Sequence, residues 1–138
     1  MFDLSSINWL AFIVAGISAM VIGFLWYGPL FGKAWIKAHK YTEKDMKNMK
    51  IGPMAAMIFG TINAFVMAFF IALIINALRS GTLSNGLLAG FALWIGIAAT
   101  TRFNSVVFEQ SPIKVFIINS TYDLANIIVM SVIFSVWK

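Results

Sequence analysis

Four long apolar stretches divide the chain, and each approaches the roughly 20 residues an α-helix needs to cross a hydrocarbon core about 30 Å thick. They are predicted over residues 7–28, 53–78, 85–108 and 112–137. Segments of this length satisfy every backbone polar group in lipid only as helices. The expected fold is therefore all-α, a polytopic membrane protein forming one four-helix domain over 1–138. Gly28-Pro29 is expected to end the first helix, because proline lacks an N–H and crowds the preceding turn. Pro53 sits where a missing first-turn donor costs little, and Arg79-Ser80-Gly81 closes the second span. Ser84 is the expected cap of the third span, and Ser111-Pro112 the cap and first-turn proline of the fourth.

Residues 29–52 form a basic connection. Lys33, Lys37, Lys40, Lys44, Lys47 and Lys50 recur at spacings of four, three, four, three and three, which gathers them on one helical face. This reads as an amphipathic helix lying on the membrane surface, broken where Thr42-x-x-Asp45 offers a capping box. Its lysines and Trp35 are the expected contacts with anionic lipid, each lysine contributing about 1 kcal/mol near such a surface. With Lys114 in the third connection and only Arg79 and Lys138 on the other side, the positive-inside rule places both basic connections in the cytoplasm and both termini outside. Trp9 at one end of the first span and Trp26 with Tyr27 at the other are expected at the interfaces. Only Asp3 is charged ahead of that span, and without a basic leader region it is expected to be retained.

Composition narrows the chemistry. The chain is 61% hydrophobic and 11% charged, against about 45–50% and about 25% in soluble domains, which excludes a water-soluble globule. Its net charge of +5 is concentrated beside the spans, so the expected partner is an anionic bilayer and not nucleic acid. Zero cysteines remove disulfides, thiolate metal sites and cysteine nucleophiles. His39 is the single histidine and has no carboxylate or imidazole at a ligand spacing, so no metal or cofactor is expected. With no acidic pair inside a span and no phosphate loop, the chain is not expected to be an enzyme.

Helix contacts in lipid depend on close approach at small residues. Gly52, Ala56, Gly60, Ala64, Ala68 and Ala72 form a four-residue ladder along the second span and are the expected packing surface. Shorter ladders are Ala15, Ala19, Gly23 and Ala92, Gly96, Thr100, which coincide when the chain is shifted by 77 residues and hint at a duplicated hairpin. These surfaces favour a homo-oligomer.

Two ionisable residues lie inside spans, where a charge costs at least about 2.5–3.5 kcal/mol. Counted from the turn near Gln110, Arg102 lies about 12 Å deep and Asp123 about 17 Å, at ~1.5 Å per residue. The short turn makes their helices neighbours, so the two are predicted to pair. Asn119, Asp123 and Asn126 share a face of the fourth span, with Tyr122 beside it. On the third span Thr100 and Asn104 lie about 160–200° from Arg102, and Asn63 and Asn76 are placed to join either cluster. A polar cluster inside a bilayer points to ion or small-solute permeation by an oligomer, with Asp123 as its titratable element. The alternative is a scaffold or partner- and lipid-binding protein in which the pair is structural.

The run Trp26-Tyr27-Gly28-Pro29-Leu30-Phe31-Gly32-Lys33-Ala34-Trp35 after Ile7-Asn8-Trp9-Leu10-Ala11, with Ile118-Asn119-x-x-Tyr122 and Trp137 late in the chain, resembles a prokaryotic family of small four-helix membrane proteins classed as a domain of unknown function. The resemblance implies that architecture and a prokaryotic cytoplasmic membrane, and it brings no activity. Asp123 stands where the resemblance leads one to expect a less acidic residue. Small multidrug exporters share the size and helix count, but their first helix carries an embedded glutamate that is missing here.

Overall fold

The computed structural model describes residues 2–138. Asn8 opens the first long helix by accepting the Leu10 and Ala11 N–H groups on its Oδ1 at 3.1 and 3.0 Å, and α1 runs Trp9–Leu25. As expected, the first helix breaks at Gly28-Pro29: the regular turns stop at Leu25, and Gly28 takes a non-helical φ −105°, ψ −105° at a kink. Across it Trp26–Leu30 forms a widened turn in which the Phe31 N–H donates to Trp26 O at 2.8 Å. Widening by one residue accommodates proline, whose missing donor and bulky ring an i→i−4 ladder rejects. α2 (Gly32–His39) then turns away, and a Cβ on buried Gly32 would strike the Tyr27 carbonyl oxygen. Lys40 at φ 59° closes it. The capping box is formed in full, with Thr42 N–H donating to Asp45 Oδ2 at 2.8 Å and Asp45 N–H to Thr42 Oγ1 at 3.1 Å, and it starts α3 (Glu43–Lys47).

α4 spans Pro53–Ala77 with Pro53 in its first turn. The third span runs as α5 (Leu83–Leu93), a π-wound stretch Trp94–Ala99 and α6 (Thr100–Phe108). Its cap is Thr82, not Ser84: Thr82 Oγ1 accepts the Asn85 N–H at 3.2 Å. α7 covers Ile113–Val136, and Pro112 itself holds the cap position while Ser111 makes no side-chain cap. The preceding turn is closed by the Ser111 N–H on Ser105 O at 3.1 Å and by left-handed Gln110. The four spans Trp9–Leu30, Pro53–Ala77, Leu83–Phe108 and Ile113–Val136 are long and apolar enough to cross a membrane. This is a multi-pass, all-helical membrane protein, with no strand among the described residues.

α7 is the hub. It packs against α1, α4 and the whole third span, α1 and α4 pack on each other, and the most extensive contact joins α5 to α7. Ala11, Ala15 and Ala19 of α1 and Ala64, Ala68 and Ala72 of α4 are buried beside Met130 and Phe134 of α7. Small side chains bring the backbones together, as helix association in lipid requires. The ladder on α4 packs over only half its length, since Gly52, Ala56 and Gly60 stay exposed. Four residues overshoot a turn by about 40°, so the stripe winds off the α1–α7 side before it reaches the N-terminal end of α4. Asn76 holds the other end of the bundle, donating to Ser6 O at 3.0 Å and accepting from Lys138 Nζ at 3.3 Å. Both termini thus lie at the end opposite the basic connection.

Gly86 and Gly90 are the closest approach of α5 to α7: a Cβ on Gly86 would lie 2.8 Å from Ser135 Oγ and 3.1 Å from Ser131 O. Gly86→Ala is expected to destabilise the bundle by about 1–3 kcal/mol through overpacking. Gly60→Ala, whose Cβ meets nothing within 4 Å, is expected to stabilise by about 0.5–1 kcal/mol. Thermal unfolding of both variants in one detergent, followed by far-UV circular dichroism, checks the opposite signs.

Candidate functional site

The polar side chains of the spans gather on α7. Arg102 of α6 grips Asp123 with two N–H donors: Nε donates to Oδ2, and Nη2 to Oδ1 at 3.1 Å. This is the one salt bridge among the described residues. The Asp123 side chain is 19% exposed and that of Arg102 41%, so the acid sits inside while the guanidinium reaches toward the basic end. Asn119 does not join the pair. Its Oδ1 accepts the Tyr27 hydroxyl at 2.6 Å, and Tyr27 meets Tyr122 edge to face at 5.0 Å between ring centroids.

Two tryptophans clamp α7 by its backbone. Trp26 Nε1 donates to Ile118 O at 3.0 Å and Trp94 Nε1 to Ser120 O at 2.8 Å. Carbonyls two residues apart lie on opposite sides of a helix, so the first and third spans hold α7 between them. Each tryptophan opens a π-wound stretch and each is followed two residues on by glycine, Trp26-Tyr27-Gly28 and Trp94-Ile95-Gly96. Neither Trp26 nor Tyr27 is therefore an outward interfacial ring: both are half-buried with their polar ends on protein.

The remaining predicted residues divide. Asn126 is 1% exposed, and neither its Nδ2 nor its Oδ1 has a partner; Ser120 Oγ and Ser131 Oγ are buried and unpartnered as well. At 100° per residue, Asn126 shares the side of α7 that carries Tyr122, Asn119 and Met130. Thr100 and Asn104 are exposed on the outward face of the third span, separated from the cluster because Arg102 takes the inward face. The Thr100 hydroxyl returns to its own helix, donating to Gly96 O at 3.1 Å and Ile97 O at 3.0 Å. Asn63 is exposed and Asn76 lies at the far end, so neither joins either group.

Outside the spans, Lys33, Lys37, Lys40, Lys44 and Lys47 are exposed. Trp35, expected at the lipid surface, turns inward. It meets Tyr27 at 6.0 Å and His39 at 4.3 Å, while His39 stacks on Tyr41 at 4.7 Å and 4°. The amphipathic face of α2 is used for this aromatic stack, which explains a half-buried indole in a basic helix. Burial holds the His39 imidazole below its usual pKa. A cavity of about 360 Å³ opens between this segment and the bundle, lined by Trp35, Ile36 and Met46 on one side and by Tyr27, Arg102 and Asn119 on the other.

Residues 10–135 match the model of a family described as protein of unknown function (DUF1761), and the chain belongs to that family. No curated protein and no solved structure matches it.

Removing one member of a desolvated pair leaves the other unneutralised, so Arg102→Gln and Asp123→Asn are each expected to be destabilising, with the double variant costing less than their sum. A double-mutant cycle by thermal unfolding should return a coupling of roughly 1–3 kcal/mol. The His39 effect has the opposite chemistry. Its folded pKa lies below the unfolded value of about 6.5, so its contribution is present above that pH and lost as pH falls through the folded value. The protection of α2 amides, taken relative to the intrinsic exchange rate at each pH, is expected to fall as pH drops below about 6.5, and not in His39→Gln.

Proposed function

We propose that this family member is an ion- or small-solute-permeation protein that works as a homo-oligomer, with its pathway beside the third span and α7. The observation that carries the reading is the third span's two polar faces. One face is fixed on α7 through Arg102 and Asp123, and the other leaves Asn104 exposed with Ala92, Gly96 and Thr100 along the same stripe. Counted from Gln110, Asn104 lies about 9 Å inside the span at ~1.5 Å per residue. A lipid-facing amide at that depth has no hydrogen-bond partner and costs several kcal/mol. A second copy or water would supply one, and Gly96, with open space around its Cβ position, allows close approach. Asp123, one helix further in, is the titratable element, and unpartnered Asn126 continues the polar track toward the middle of α7.

The basic connection faces the cytoplasm in this reading, both termini lie outside, and the membrane is the prokaryotic cytoplasmic one. The exposed lysines of α2 and α3 support that orientation through the positive-inside rule. Catalysis is not part of the proposal. The competing reading, a scaffold or lipid-binding protein, draws support from the closed geometry of the ion pair, which is neutral within the protomer.

Ion and proton flux into liposomes under a fixed pH gradient tests the proposal. Wild-type protein is expected to conduct, Asp123→Asn to lose most of the flux, and Asn104→Leu to lose both flux and the oligomer seen by light scattering. Correctly inserted wild-type protein that conducts nothing would leave the scaffold reading in possession.

A further inference from the structure

Tyr27 lines two cavities at the basic end of the bundle, and their chemistries differ. On one side lies the more polar of the two, with Arg102 and Asn119 in a wall that also holds Trp35, Ile36 and Met46. On the other an apolar groove of about 410 Å³ runs between α1 and α4, with Ala19, Gly23 and Phe24 facing Ala56, Gly60 and Ala64. It exists because the small-residue ladder of α4 has wound away from α1, and Ala56 to Ala64 covers about 12 Å of helix at ~1.5 Å per residue.

The polar cavity offers donors. Arg102 uses Nε and Nη2 on Asp123, and its Nη1 makes no hydrogen bond among the described residues. Asn119 uses Oδ1 on Tyr27, which leaves its Nδ2 amide as a second free donor. No acidic side chain lines either cavity among the described residues. A cavity that presents free donors and no acid in its wall takes an oxyanion, and guanidinium with amide N–H is a phosphate-binding set. The adjoining groove, open to the bilayer, takes hydrocarbon. An occupant of both must join a phosphate to an alkyl chain at the level where a surface helix meets the membrane.

We infer that the two cavities form one site for an anionic phospholipid, its phosphate against Arg102 and Asn119 and one acyl chain in the α1–α4 groove, with Tyr27 between them. The site does not rest on the transport reading: it stands whether or not the protein conducts.

Two variants address the two halves. Asn119→Asp keeps an acceptor for the Tyr27 hydroxyl while replacing the free donor with negative charge. Gly60→Leu fills the groove at a position where a Cβ meets nothing within 4 Å. The measurement is the thermal midpoint of full-length protein in a neutral detergent, titrated with phosphatidylglycerol, phosphatidylcholine of the same chains, or inorganic phosphate. Phosphatidylglycerol is expected to raise the wild-type midpoint saturably, with little effect from the other two. Its apparent Kd is expected to weaken about tenfold in each variant, the loss of one charge-assisted contact or of the chain's seat. A variant with Lys33, Lys37 and Lys40 changed to Gln should keep the saturable shift at raised salt.

The inference is overturned if both single variants bind as wild type does, or if the lysine variant alone loses the effect, which would make it surface electrostatics. It is equally overturned if inorganic phosphate gives the full shift and Gly60→Leu is silent, a free-anion site. A Gly60→Leu protein that changes oligomeric state on size exclusion while binding lipid normally would overturn it too, by assigning the groove to a second copy.

Discussion

An arginine inside a membrane span must be neutralised within the protein, and the rotation of the third span follows from that requirement. Arg102 can meet Asp123 only if its face of α6 turns onto α7. Once it does, Thr100 and Asn104, about half a turn away, face outward. The same rotation brings Gly86 and Gly90 against Ser135, Ser131 and Ile128, where any larger residue would hold the helices apart. It also leaves part of the guanidinium at the polar cavity beside Tyr27. One electrostatic necessity thus sets the packing seam, the outward polar stripe and the donor that faces the basic end.

The backbone is adjusted to serve this arrangement. Both π-wound stretches begin at a tryptophan whose indole reaches a carbonyl of α7. A carbonyl that already accepts from the residue four positions on keeps a second lone pair, so the clamp adds a bond without breaking the helix ladder. π-turns widen a helix and shift the register of its next turns, and they recur at functional sites. Here the first carries the kink at Gly28-Pro29 and aims Tyr27 at Asn119. Gly32 then permits the chain to fold back so that α2 closes over the cavity.

Much of this is legible in the sequence, and the reasons for the remainder are physical. Span number and approximate limits follow from hydropathy and helix-breaking residues. The Arg102–Asp123 contact follows from matching depths across a short turn, because an ion pair in lipid has few alternatives. The Thr42–Asp45 box is local, and local signals survive folding. Tertiary bonds to the backbone leave no such trace. Trp26 and Trp94 donate to main-chain carbonyls, which every residue has, so nothing in the identities of Ile118 or Ser120 marks them. The pair Trp26-Tyr27-Gly28 and Trp94-Ile95-Gly96 is a visible signal, at a different offset from the 77 residues that align the small-residue ladders. Trp35 is ambiguous in sequence because an indole in a basic amphipathic helix suits both a membrane surface and an aromatic stack, and only the proximity of Tyr27, His39 and Tyr41 decides between them. The ladder on α4 is unbroken in sequence, yet its 40° drift means that a straight partner can track only part of it.

α7 carries polar groups of two kinds, and they do different work. Asp123 and Asn119 have protein partners, and such satisfied groups fix register and rotation. Asn126, Ser120 and Ser131 are buried without partners, and burying an amide with no hydrogen bond costs roughly 1–3 kcal/mol. An apolar residue at position 126 would pack against Met130 and its neighbours without that penalty. The amide therefore makes physical sense where something else completes its bonds, and a bound water needs two to four polar partners to reside there. On the α1–α4 side of α7 the succession Asn119, Tyr122, Asn126 runs from the donor-lined cavity toward the middle of the helix. Satisfied groups hold the bundle in register, and the unsatisfied ones keep hydrogen-bonding capacity that the protomer does not use.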